Sequence, residues 1–218
     1  MIKQDYAAAR DCMVDSQVRP NKVIDPRIVR AMRRLPRERF VPPQAMSLAY
    51  TDEDVPLGRG RFLMEPMIIA RLVQLARVRD GERVLVIGAG SGYGACLMAS
   101  CGGEVTALEE DPALLAIMRP LLAEFAPSVE IIEGPLAQGQ ADVTWSVVMI
   151  EGAVQAIPPG IATQVRHPGG RLVTVISKGP GGSGILAEPS GAGLRAHAEF
   201  DCQTPLLPQL LAPLAFQF

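Results

Sequence analysis

Histidine is almost missing from this chain. Two residues, His167 and His197, stand far apart among 218, too few for a histidine-built metal centre. The four cysteines, Cys12, Cys96, Cys101 and Cys202, fit no zinc spacing, and Cys96 and Cys101 lie off a common helix face. They read as buried free thiols, and no metal is expected. There is no excess of charge either. The balance of 21 Lys and Arg against 23 Asp and Glu gives a net charge of −2, which removes the electrostatic case for nucleic acid or an anionic membrane surface. No apolar run approaches the about 18 residues of a membrane-spanning helix. The opening Met1-Ile2-Lys3-Gln4-Asp5 has no apolar leader core, so a cytoplasmic location is the expectation. Neither an internal repeat nor a separating linker is visible, and residues 1–218 are expected to form one domain.

What the chain does have is glycine in a telling place. The apolar run Arg83-Val84-Leu85-Val86-Ile87 stops at Gly88-Ala89-Gly90-Ser91-Gly92-Tyr93-Gly94, and the helix-like Ala95-Cys96-Leu97-Met98-Ala99 follows at once. Alternate glycines allow a tight turn and close approach of the backbone to a ligand. The helix start behind them offers unpaired N–H groups. About twenty residues on, a second strand, Glu104 to Leu108, ends in Glu109-Glu110-Asp111, where an acidic side chain can accept both hydroxyls of an adenosine ribose. The dinucleotide fingerprint G-x-G-x-x-G fails when counted from Gly88, because Tyr93 stands at its last glycine. Gly88, Gly90 and Gly92 fit better the G-x-G-x-G turn of S-adenosyl-L-methionine enzymes. A turn that merely packs a helix on a sheet is the bland alternative.

Around this turn the pattern alternates. Asp25 and Pro26 open a helix with the apolar stripe Ile28, Val29, Met32 and Leu35; its Arg27, Arg30, Arg33 and Arg34 read as a solvated face. Residues 54–66 read as a loop into a helix started by Pro66. Beyond the core turn come a helix over 112–125 and a strand at Val129–Ile132. A strand at Val143–Ile150, a helix from Pro158-Pro159 to Val165 and a strand at Arg171–Ile176 follow. Gly179 to Gly184 reads as a flexible turn, Ile185–Ala187 and Leu194–Phe200 as paired strands, and Leu214–Phe218 as a last antiparallel strand. Strands alternating with helices predict an α/β fold: a doubly wound, mostly parallel sheet of the class I S-adenosyl-L-methionine methyltransferase type. It carries a helical N-terminal extension and an antiparallel C-terminal strand. Within it, residues 1–65 form a cap and acceptor loop, 66–178 the cofactor-binding core, and 179–218 the C-terminal strands.

Several stretches, in order, resemble the protein-L-isoaspartate O-methyltransferase family. Arg37-Glu38-Arg39-Phe40-Val41-Pro42 resembles its P-R-E-x-F-V-P signature. Ala49-Tyr50 with Asp54 to Gly58 resembles A-Y-x-D…P-L-x-G, and Val84 to Tyr93 resembles its V-L-E-I-G-x-G-S-G-Y turn. Ile157-Pro158 and Pro168-Gly169-Gly170-Arg171-Leu172-Val173 match later landmarks. The resemblance implies a monomeric or loosely associated cytosolic repair enzyme. Such an enzyme transfers a methyl group from S-adenosyl-L-methionine to the carboxyl of L-isoaspartyl residues in damaged proteins. It also implies that Gly88, Ala89, Gly90, Ser91, Gly92, Glu109, Glu110, Gly134 and Pro135 bind the cofactor, and that Met64 and Glu65 line the acceptor pocket.

The site departs from the family pattern. Gly60 to Pro66 replaces G-Q-T-x-S-Q-P, with Met64 at the serine and Glu65 at the second glutamine. A thioether donates no hydrogen bond to a carboxylate, and an inward, ionised Glu65 repels one. Val86 replaces the acidic residue two before the first glycine, Gly134-Pro135-Leu136 replaces G-D-G, and Ser146 stands at an aspartate position. Beside isoaspartyl methylation stand a methyltransferase with a less charged acceptor, a non-catalytic relative that binds a partner or adenosine-type ligand, and a nicotinamide or flavin dehydrogenase.

Overall fold

The computed structural model describes residues 5–179, 181–191 and 193–211. The chain opens with helix α1 (Tyr6–Met13), whose first amides at Ala7 and Ala8 are taken by the Asp5 side chain, and a wider turn at Val14–Val18. Helix α2 (Pro26–Arg34) is capped by Asp25 and buries Ile28, Met32 and Leu35. Its arginines do more than face water. Arg27 donates to the carbonyls of Val78 and Cys101 at 3.0 and 2.8 Å, and Arg33 pairs with Asp11 and Asp15. Two of them therefore tie α2 to its neighbours.

The segment read as a loop contains a small antiparallel hairpin, β1 (Val55–Gly58) and β2 (Arg61–Leu63). Its strands are too short to show a period-2 pattern in the sequence. The remaining elements are α3 (Pro66–Ala76), β3 (Arg83–Ile87), α4 (Tyr93–Ser100), β4 (Glu104–Glu109), α5 (Pro112–Phe125) and β5 (Glu130–Glu133). They continue with β6 (Val147–Val154), α6 (Pro159–Ala162), β7 (Arg171–Lys178), β8 (Gly181–Ser190) and β9 (Gly193–Cys202). The large sheet has the order β5-β4-β3-β6-β7-β8-β9, parallel from β5 through β7 and antiparallel beyond. Strands covered on both faces read as continuous apolar runs. Thus Val84, Val86, Val147 and Met149 enter one buried cluster, while Leu85, Ile87, Val148 and Ile150 enter the other.

Some boundaries moved. The strand expected over 143–150 is β6, four residues later; Trp145 makes only an isolated bridge with Val165. The helix expected to reach Val165 stops at Ala162. The glycine-rich turn at 179–184 is cut short because β8 starts at Gly181. Of the cysteines expected to be buried, Cys12 is exposed and Cys202 half-buried. The strand expected at 214–218 lies outside the described residues.

One consequence of the topology locates the site. Strand β3 has β4 on one side and β6 on the other, so the chain order reverses at its C-terminal end. In open α/β sheets ligands bind in the crevice at that point.

Candidate active site

The turn Gly88–Gly92 leaves the end of β3 into α4, and Gly88 and Gly92 adopt φ of +70° and +93°, values that side-chain-bearing residues rarely take. The end of β4 lies beside it. Gly90 N–H donates to Glu109 Oε2 at 2.8 Å, and the amides of Glu110 and Asp111 donate to Oε1 at 2.9 and 3.1 Å. The loop after β5 completes the group: Gly134 N–H donates to the Glu109 carbonyl and Leu136 N–H to Glu110 Oε2. The glycine turn, Glu109, Glu110 and the Gly134-Pro135 loop thus meet at one edge of the sheet.

Glu109 is not open. It is fully buried, and Arg61 on β2, only 2% exposed, grips it with both guanidinium arms at 2.8 and 2.9 Å. The same Arg61 Nη2 donates to the Gly88 carbonyl at 2.9 Å. A β-carbon placed on Gly88 would lie 3.2 Å from Arg61 Nη2 and 3.3 Å from Leu207 Cδ1. The side of Gly88 where a β-carbon would point is therefore closely lined by an arginine and a leucine, and it is the arginine that occupies Glu109. Sequence reasoning missed both: Leu207 belongs to no motif, and Arg61, at the first glutamine position of G-Q-T-x-S-Q-P, carries no local sign of its partner. Arg61 came into reach only through the unrecognised hairpin.

The hairpin is clamped at its base. Asp54 Oδ1 accepts the Glu65 amide at 3.0 Å and the Thr204 hydroxyl at 2.8 Å. Arg37, with no exposed surface, donates to the carbonyls of Ala49 and Met64 at 2.7 and 2.5 Å and lies over the Tyr93 ring. Met64, expected to face the acceptor, is instead packed in the main apolar cluster at 1% exposure. Only its carbonyl takes part in the polar network. Glu65 is half-buried, and burial, reinforced by Asp52 and Asp54, pushes its carboxyl up to about 7.

A second carboxylate was not foreseen. Glu151, on β6 one residue past the last step paired with β3, is 4% exposed, and its Oε2 has no hydrogen-bond partner among the described residues. The signal in the sequence was a lone acid inside the apolar run Val147–Val154. The Ser91 hydroxyl in the turn is likewise buried and without a partner among the described residues. Among the described residues no cluster of histidine, cysteine and carboxylate side chains suits a metal ion, and no helix is long and apolar enough to cross a membrane.

Comparison with known proteins gives a consistent result. The family described as Protein-L-isoaspartate(D-aspartate) O-methyltransferase matches residues 9–184. A Protein-L-isoaspartate O-methyltransferase 1 of Rhodopseudomonas palustris (strain HaA2) is 36% identical over 170 residues, 77% of this chain and 69% of the relative. Protein-L-isoaspartate O-methyltransferase 2 of Anaeromyxobacter sp. (strain Fw109-5) is 38% identical over 172 residues, 78% of this chain and 70% of the relative. Among solved structures, a protein-L-isoaspartate O-methyltransferase of Plasmodium falciparum, crystallised with S-adenosyl-L-homocysteine, superposes with a TM-score of 0.73. It is 16% identical and covers 92% of this chain and 98% of its own, a likeness of fold.

Proposed function

The chain belongs to the protein-L-isoaspartate(D-aspartate) O-methyltransferase family, and on that premise we propose that it methylates the carboxyl of L-isoaspartyl residues in damaged proteins, with S-adenosyl-L-methionine as the methyl donor. The observation that carries the reading is the convergence of the glycine turn, Glu109 and the Gly134 loop at the reversal point of the sheet. The residue types suit an adenosine-bearing cation. Two buried acids, Glu109 and Glu151, flank the turn, and Glu151 Oε2 and the Ser91 hydroxyl have no partner among the described residues. One side chain must move, because Arg61 already takes both Glu109 oxygens.

When bound, the cofactor supplies an electrophilic methyl group on a sulfonium. The protein's own residues bind and orient. Glu109, held by the Gly90, Glu110 and Asp111 amides, would hold the ribose hydroxyls in place of Arg61. Glu110 fixes the Gly134-Pro135 loop through the Leu136 amide. Displacement by a carboxylate oxygen needs alignment and partial desolvation more than a strong base. Met64 is committed to the core, so Glu65 is the residue of the former serine-glutamine pair left to meet the acceptor. With its carboxyl near neutrality, Glu65 holds a proton in part of the molecules at pH 7 and in that form donates to an anionic acceptor.

Calorimetry with S-adenosyl-L-methionine and S-adenosyl-L-homocysteine, followed by methyl transfer to paired isoaspartyl and aspartyl peptides, tests the reading. Binding of both ligands and transfer to the isoaspartyl peptide alone are expected. Absence of binding at millimolar ligand would overturn it. A soluble cytosolic setting and a monomer or weak dimer accompany this proposal.

A further inference from the structure

We propose that Glu151 is the carboxylate that receives the ammonium group of the cofactor's amino-acid end. The inference rests on the function proposed above and concerns a residue outside every motif of the chain.

Register places Glu151 first. Strands β3 and β6 run parallel with Ile87 opposite Ile150, so the next residues, Gly88 and Glu151, stand side by side where the turn begins. Alternation along β6 then sets the face. Val147 and Met149 enter the same buried cluster as Val84 and Val86, whereas Val148 and Ile150 enter the opposite one. Glu151 thus shares the face of Val86, the position where the resemblance leads one to expect an acid, and lies further along, on the neighbouring strand. The carboxyl reaches across to α4. A β-carbon on Gly94 would collide with Glu151 Oε2, so this approach exists only because residue 94 is glycine.

Chemistry supplies the second argument. A buried carboxyl oxygen without a partner is costly, and native proteins rarely keep one without a reason. Glu109 shows what a satisfied buried carboxylate looks like here, with an arginine and three amides. Four ionisable groups surround Glu151, yet none bonds to it among the described residues. Arg61 gives its Nη atoms to Glu109 and the Gly88 carbonyl, and Arg37 gives Nε and Nη2 to the carbonyls of Ala49 and Met64, while its Nη1 bonds to nothing, Glu151 included, among the described residues. Glu109 adds like charge, and Cys96 faces it as a thiol. The Gly94 amide points toward the carboxyl but completes no hydrogen bond to Oε2; that oxygen suits a cationic donor, and an α-amino acid ammonium beside the first glycine is such a donor. The alternative is a glutamate that only fills space beside Met149 and Gly94. A glutamine would fill it equally well without touching ligand affinity.

The proton balance gives a signature. Burial pushes the Glu151 carboxyl up to about 8, so the unliganded protein holds a proton there at pH 7. Pairing with an ammonium ionises the carboxyl, and that proton passes to the buffer while the ligand keeps its own. Titration of the full chain with S-adenosyl-L-homocysteine at pH 7, in phosphate and in Tris, reads this release from the difference in heat. We expect close to one proton released per ligand bound. We expect no release from an analogue lacking the amino group, and for Glu151→Gln no release and binding weaker by about tenfold or more. The analogue arm uses the wild-type chain, so it stands even if the variant folds poorly. Equal heats in both buffers, with the deaminated analogue bound as tightly as the parent, would overturn the role of Glu151 and leave the proposed function standing. No binding of either ligand would overturn both.

Discussion

Removing Arg61 should make the protein less stable and its cofactor seat more available at the same time. The Arg61–Glu109 pair is 2% and 0% exposed and bidentate, and breaking a buried pair from one side costs about 3–5 kcal/mol. Here the three amides on Glu109 keep the remaining charge partly compensated, so about 3 kcal/mol is the expected loss for Arg61→Ala. In a chain of this length each kcal/mol corresponds to about 2–4 °C, hence a fall in Tm of about 6–12 °C. The same deletion frees both Glu109 oxygens for a ribose. Binding of S-adenosyl-L-homocysteine no longer has to break an ion pair, and its affinity should rise by about tenfold, equivalent to about 1.4 kcal/mol. Scanning calorimetry with and without ligand reads both limbs, since the ligand-induced rise in Tm should be larger in the variant. A cycle with Glu109→Gln isolates the coupling of the pair. The reasoning would be refuted if ligand protected the wild-type chain more than Arg61→Ala. Arg61 would then be part of the open seat rather than its occupant.

Other expectations follow from the same geometry. Transfer to an isoaspartyl peptide should fall as pH rises through about 7, where Glu65 loses its proton; Glu65→Gln should flatten that limb of a rate–pH profile. Glu151 has a raised carboxyl, so the folded chain holds more protons than the unfolded one between the ordinary glutamate value, about 4.5, and about 8. Its contribution to stability is therefore lost as pH rises through that window, and denaturant titrations at pH 6 and 8.5 should differ less for Glu151→Gln than for the wild type. Met64→Ser should leave a cavity in the core and cost about 2–4 kcal/mol. If Tm held and peptide methylation rose instead, Met64 would be an acceptor-site residue after all.

How far the chain could be read depends on where its signals are local. The parallel core was legible because Val84–Ile87, Val105–Leu108, Val147–Ile150 and Leu172–Val175 are buried runs of strand length between helix signals. The glycine turn and the acids after β4 were legible as neighbours because β3 and β4 are consecutive. The hairpin was not, since three- and four-residue strands carry no period. Arg61 and Glu109 are 48 residues apart, and nothing local in either marks their pairing. Glu151 was visible as an anomaly in an apolar strand, but only the register with β3 shows what it stands beside. Met64 shows the reverse error: aligned on a motif it reads as a site residue, while its burial makes it part of the core.

The clamp on the β1–β2 hairpin has a consequence for time as well as shape. Asp54 joins the two ends of the hairpin through the Glu65 amide and ties them to the segment after β9 through the Thr204 hydroxyl, and Arg37 holds the Met64 carbonyl. Any backbone movement that accompanies withdrawal of Arg61 is thereby confined to the tip, Gly58 to Phe62, about fixed ends. Rearrangements of so short a loop belong to the nanosecond-to-microsecond range rather than to domain movements. Admission to the seat would then be fast, and the residence time of whatever occupies it would be governed by how well it competes with the arginine for Glu109.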